Sequence, residues 1–89
     1  MKAIVTVVGK DQVGIIAAVC IKLAEYNVNV LDISQTVMQG YFTMMMVVDV
    51  STCTVPLAQL CTDMEEMGKE RGLSVRVQRE DIFEAMHRV

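Results

Sequence analysis

The run Ala3 to Val8 is apolar and rich in β-branched residues, the pattern of a strand buried on both faces in mid-sheet. Gly9-Lys10-Asp11-Gln12-Val13-Gly14 interrupts it. From Ile15 to Tyr26, Ile16, Val19, Cys20 and Leu23 recur at helical spacing, with Lys22 and Glu25 on the outer side. Asn27 suits the left-handed stop of that helix. Asn29 to Met38 then alternates, with Leu31, Ile33 and Val37 on one face and Asp32, Ser34 and Thr36 on the other, which predicts a half-exposed strand. Gln39-Gly40 is a two-residue turn, and Tyr41 to Val50 is the returning strand of a hairpin.

Ser51 to Val55 reads as a polar linker, and Pro56 suits the first turn of a helix. Leu57, Leu60, Cys61, Met64 and Met67 mark that helix, which is expected to end near Gly72. Leu73, Val75 and Val77 alternate with Ser74, Arg76 and Gln78 in a last strand. The order strand, helix, strand, strand, helix, strand predicts an α+β, ferredoxin-like βαββαβ fold. It would hold a four-stranded antiparallel sheet with both helices on one face. Residues 1–80 make up this domain. Residues 81–89 offer a short amphipathic helix, with Asp81 as cap, Glu84 three residues on, and Ile82, Phe83 and Met86 on one side. That helix is expected to pack on the open sheet face or across a dimer seam.

Composition changes this picture in one respect. A domain of 89 residues buries only about 60–65% of its unfolded surface. Yet 53% of its residues are hydrophobic, so self-association is the expected outlet for the surplus. A net charge of −3, with eight Lys and Arg spread along the chain, leaves no basic stripe for phosphates and argues against direct nucleic-acid binding. Cys20, Cys53 and Cys61 are odd in number and lack a Cys-x-x-Cys pair, which reads as three reduced thiols in the cytoplasm. Lys2 to Val8 begins like an export signal, but the run stops at Gly9-Lys10-Asp11 with no small-residue cleavage site. The apolar run Val13 to Ile21 is less than half a membrane span, so no membrane partner is expected.

Candidate chemistry is sparse. Gly9 and Gly14 bracket a strand-to-helix turn, where backbone N–H groups and a helix dipole can meet an anion. Ile15-Ile16 stands where a phosphate loop needs Lys-Ser/Thr, which removes nucleotide binding. Two readings of the glycines stay open: they make the turn alone, or they also bind a carboxylate or phosphate. The methionines around Met44-Met45-Met46 read as core filling, with Met45 on the face that a tail or partner covers. His87 has no spacing that brings it to a cysteine, and no Cys/His pattern suggests a metal. Glu65, Glu66 and Glu70, interspersed with Lys69 and Arg71, form a solvated helix face. Neither a cofactor nor a catalytic residue is expected.

Gly9-Lys10-Asp11-Gln12-Val13-Gly14-Ile15-Ile16, followed by a helix and Tyr26-Asn27-Val28-Asn29-Val30-Leu31-Asp32-Ile33, resembles the ACT domain, a βαββαβ module that senses small ligands, often amino acids. The likeness covers essentially the whole chain. Gln35-Thr36-Val37, Tyr41-Phe42-Thr43-Met44-Met45 and Ile82-Phe83-Glu84-Ala85-Met86 extend it to small free-standing ACT proteins of bacteria and archaea. These are similar in turn to the ACT modules of formyltetrahydrofolate deformylase and the glycine-cleavage repressor.

The resemblance implies an effector site built from Asp11, Gln12, Val13 and Gly14 of one subunit, with Asn29 and Asp32 as the other wall across a dimer interface. Backbone N–H groups of the loop would take an α-carboxylate, and Asp11, Asn29 or Asp32 an α-ammonium. Gln12-Val13 replaces the family's usual Arg-Pro, and Asn27 its usual helix-ending glycine. The implied function is non-catalytic: a homodimeric regulatory domain that binds an amino-acid-like effector and passes the signal to a partner enzyme or regulator. The alternative is an assembly module without a small ligand.

Overall fold

The computed structural model describes residues 1–86, and for Met86 the backbone alone. The elements run β1 (Lys2–Lys10), α1 (Ile15–Glu25), β2 (Asn29–Met38), β3 (Tyr41–Asp49), α2 (Leu57–Glu70), β4 (Ser74–Arg79) and α3 (Glu80–Met86). The four strands form one antiparallel sheet in the order β2-β3-β1-β4. This is the ferredoxin-like arrangement that the pattern predicts, with a short C-terminal helix added.

Register sorts the side chains. Ala3, Val5 and Val7 of β1 align with Val48, Met46 and Met44 of β3 and, for Val5 and Val7, with Val77 and Val75 of β4. All of these are buried with Ile15, Val19 and Leu23 of α1 and Leu60 and Met64 of α2. The core therefore lies between one sheet face and the two long helices. Met44 and Met46 fill it, whereas Met45 turns to the other face, as the alternation requires.

The outer sheet face is covered at one end only. Ile4, beside Val47 and Gln78, is 6% exposed yet belongs to no part of the main core, whereas Val8 on the same side is 42% exposed. α3 packs against β1 and β4 and accounts for the burial at the Ile4 end. β1 is thus buried on both faces over only part of its length.

Four local expectations shift. β1 continues to Lys10, so Gly9 lies within the strand opposite Phe42 rather than in the loop. A bulge at Leu31 interrupts β2 between Val30 and Asp32; Val30, not Leu31, packs against the core. On α1 the buried stripe is Ile15, Val19 and Leu23, with Ile16 on the exposed side. α3 starts at Glu80, and Asp81 sits in its first turn, accepting from Arg79 at 2.7 Å and from the amide of Ile82 at 3.0 Å. The expected ends hold elsewhere: Asn27 is left-handed at φ 58°, and α2 stops at Glu70 ahead of a left-handed Gly72. Gln39 and Gly40, both at positive φ, form the hairpin turn.

Two other glycines are set by packing. A Cβ on Gly68 would lie 2.6 Å from Val75 Cγ2 and 2.9 Å from the Leu73 carbonyl oxygen, so this position lets α2 sit directly on β4. A Cβ on Gly9 would meet Leu73 Cδ2 at 2.5 Å.

Candidate functional site

The loop from Asp11 to Gly14 is held between two turns. The Asp11 amide donates to the Gly40 carbonyl at 2.8 Å, which ties the loop to the β2–β3 hairpin. The side-chain amide of Gln12 donates to the Arg71 carbonyl at 3.0 Å, which ties it to the α2–β4 turn. Gly14 takes φ 87° at the start of α1, a left-handed conformation that a side chain would strain. Its carbonyl accepts the Ala18 amide at 2.9 Å, the first bond of the helix. No side chain caps α1, so its first-turn N–H groups face outward at the positive end of the dipole. Val13 projects from the loop and is 99% exposed.

Asn29 stands at the opposite end of the sheet, and Asp32, in the row of Val47 and Ile4, two rows in from it. Asn29 shares a row with Asp49 and Lys2, whereas the loop follows Lys10. Eight residues of β1 separate those rows, about 26 Å at the rise of an extended strand. One chain therefore brings Asp11, Gln12, Val13 and Gly14 together, and Asn29 with Asp32 separately. Asn29 borders a hollow of about 360 Å³ with Ala24, Asn27, Val28 and Thr52. Its floor is tied by two bonds of 3.1 Å, from Asn27 Nδ2 to the Thr52 carbonyl and from Thr52 Oγ1 to the Asn27 carbonyl. Asp32 folds one carboxylate oxygen back onto the Ile33 amide at 2.9 Å, beside the bulge.

A polar cleft between α1 and α2, lined by Lys22, Tyr26, Asp63, Glu66 and Glu70, is not apparent from the sequence. The Tyr26 hydroxyl donates to Asp63, and the Lys22 ammonium lies 5.6 Å from the Tyr26 ring centre. Bonding to the Asp63 carboxylate, with burial second, raises the Tyr26 phenol above its ordinary value. Helical spacing was the available signal: Lys22 stands four residues before Tyr26, which caps the end of α1, as Asp63 stands four before Met67 on α2.

The remaining reactive groups are structural in their contacts. Cys61 donates its thiol to the Val77 carbonyl at 3.2 Å, and burial pushes that thiol up. Cys20 and Cys53 are free and half-buried. Among the described residues no group of three His, Cys, Asp or Glu side chains could hold a metal, and no helix is long and apolar enough to cross a membrane. His87 lies outside the described residues.

One antiparallel sheet with its two long helices on one face, and a glycine turn opening the first of them, defines a small α+β module of the ferredoxin-like class. The sequence model of the ACT domain matches residues 2–78, and the chain belongs to that family. It is 54% identical over 89 residues to a UPF0237 protein of Clostridium acetobutylicum, with all of each chain covered. Among solved structures, an ACT domain protein from Streptococcus pneumoniae superposes with a TM-score of 0.82 at 47% identity, covering 98% of both chains. A formyltetrahydrofolate deformylase from Pseudomonas syringae shares the fold over 88% of this chain and 27% of its own, with a TM-score of 0.79 and 22% identity. A structure described as a glycine cleavage system transcriptional repressor does so over 88% and 44%, with a TM-score of 0.74 and 21% identity.

Proposed function

We propose that the protein is a non-catalytic regulatory domain of the cytoplasm that binds an amino acid or related metabolite between two copies of the chain. The observation that carries this reading is the separation of Asp11–Gly14 from Asn29 by the length of the sheet and from Asp32 by most of it. Antiparallel pairing of two β2 edges sets the Asn29 end of one strand beside the Met38 end of the other. That operation returns Asn29 and Asp32 of one copy to the loop of its partner. β2 suits such pairing: it is an edge strand of ten residues, exposed throughout except at half-buried Val30. Val37, 54% exposed, is among the apolar side chains such a seam would bury. The uncapped α1 terminus then receives the α-carboxylate, and Asp11 with the opposing Asn29 receives the α-ammonium.

The signal passes by contact with a partner enzyme or regulator. Three free thiols agree with a reducing compartment. A thermal-shift screen against the twenty amino acids and folate derivatives tests the proposal, with an Asp11→Ala, Asn29→Ala variant alongside. A ligand at 100 times its Kd stabilises the native state by about 2.7 kcal/mol, several degrees for a domain this size. A shift with one compound that vanishes in the variant supports the sensor. A flat screen from an intact dimer rejects it in favour of an assembly module.

A further inference from the structure

The outer face of the sheet is half finished. α3 is seven residues long, about 10 Å of helix, against a sheet about 19 Å wide and 30 Å long. It covers the Ile4 end and leaves Val8 and Met45 exposed at 42% and 39%. Tyr41 and Met38 continue that apolar surface to the far end of the face. An apolar groove of about 200 Å³, walled by Ile4, Met45 and Val47, opens beside it.

Charge divides the same way. Lys10 and Arg76 project from β1 and β4 on the uncovered part, and among the described residues neither has an ion-pair partner. α3 carries Glu80, Asp81 and Glu84 with no base among its seven residues. Among the described residues, Asp81 alone of these acids is in an ion pair, with Arg79. Beside these acids, Ile82 is 46% exposed, an apolar side chain on a helix that already packs on its own sheet.

We propose that this face binds a second copy of the chain, with the acidic α3 of each copy lying on the Val8, Met45, Lys10 and Arg76 surface of the other. Each helix then packs between two sheets. Ile82 is buried against the partner's Val8 and Met45, and Glu84 meets the partner's Arg76. A two-fold operation makes the contact reciprocal, so two helices fill what one leaves open. The residues named in this contact, Val8, Met45, Lys10 and Arg76, lie on β1, β3 and β4 rather than on β2, so it stands independently of the effector-site dimer; together the two contacts give a dimer of dimers.

Sedimentation equilibrium over a concentration series tests it with Arg76→Glu and Glu84→Arg, both at exposed positions. Each variant alone sets like charges together twice across the contact, and its dissociation constant rises about tenfold or more. An equimolar mixture restores both opposite-charge pairs between unlike chains and regains the wild-type mass. Rescue on mixing requires a contact between copies, which separates it from damage to one fold. A Val37→Lys variant breaks the β2 edge pairing alone. If it keeps wild-type mass while Arg76→Glu halves it, the face contact stands and the edge dimer fails. The proposal is overturned if both charge variants keep the wild-type mass, if the mixture stays as dissociated as its components, or if the wild type is a monomer.

Discussion

Gln12 Nε2 donates to the carbonyl of Arg71 at 3.0 Å, joining the first loop of the chain to the turn that precedes its last strand. With the Asp11 amide on Gly40, this bond holds the glycine loop from both sides. Its lining is thereby pre-formed, which reduces the ordering that a ligand must impose.

Gln12→Ala releases one brace. Because the bond is exposed, the expected loss of stability is small, about 0.5–1 kcal/mol, read from the urea midpoint. Amide exchange at Gln12 to Gly14 is expected to accelerate while the β1–β3 ladder keeps its protection. Equal acceleration throughout would show that the bond does not act locally.

Gly68→Ala sets two effects against each other. Alanine favours a helix interior over glycine by about 1 kcal/mol. Against this, the new methyl meets the Leu73 carbonyl, backbone at the entry to β4 whose own amide is bonded to Gly68, and Val75 in the core. Overpacking of this kind costs about 1–3 kcal/mol, so a net loss is expected in urea unfolding. Gly9→Ala meets only the end of the Leu73 side chain at its closest point and is expected to cost less. A stabilised Gly68→Ala variant would contradict the close approach of α2 to β4.

Tyr26 links fold stability to alkaline pH. Its phenol is raised by the bond to Asp63, so the folded state favours the neutral form. The stabilisation is present below the ordinary value of 10.0 and is lost as pH rises through the higher folded value. Unfolding midpoints measured from about pH 8 to about pH 12 are expected to fall more steeply for wild type than for Tyr26→Phe. Identical slopes would remove the Tyr26–Asp63 bond from the account.

Asp49 has the opposite sign. The hydroxyl and amide of Ser51, with the Met1 ammonium at 3.7 Å, hold its carboxyl below the ordinary 3.8. Its contribution is present above that value and is lost as pH falls through the lower folded one. Asp49→Asn is expected to flatten the acid limb of the stability profile in urea titrations. An unchanged limb would assign acid sensitivity to other carboxylates, with Asp81 beside Arg79 the next to examine.

Much of this was legible along the chain because it depends on neighbours in sequence. The period-2 run of β3 placed Met44 and Met46 inward and Met45 outward without reference to any partner. Asn27 and the Gln39-Gly40 pair announced their left-handed turns because few residues tolerate positive φ. Strict alternation failed at Leu31, where one inserted residue changes which side chain faces the core, and no local property of leucine marks a bulge.

The sequence by itself determined the order of elements, the two-layer class and the family, since periodicity, turn chemistry and motif are properties of short segments. Only the tertiary structure decided how far Asp11–Gly14 stand from Asn29 and Asp32 within one chain. Strand order and register set that distance, and both depend on pairings between residues remote in sequence. The same holds for Gly68, which reads as a weak point in a helix until β4 is placed beneath it. It holds also for the outer sheet face, whose covered and uncovered halves exist only once α3 has folded back onto β1.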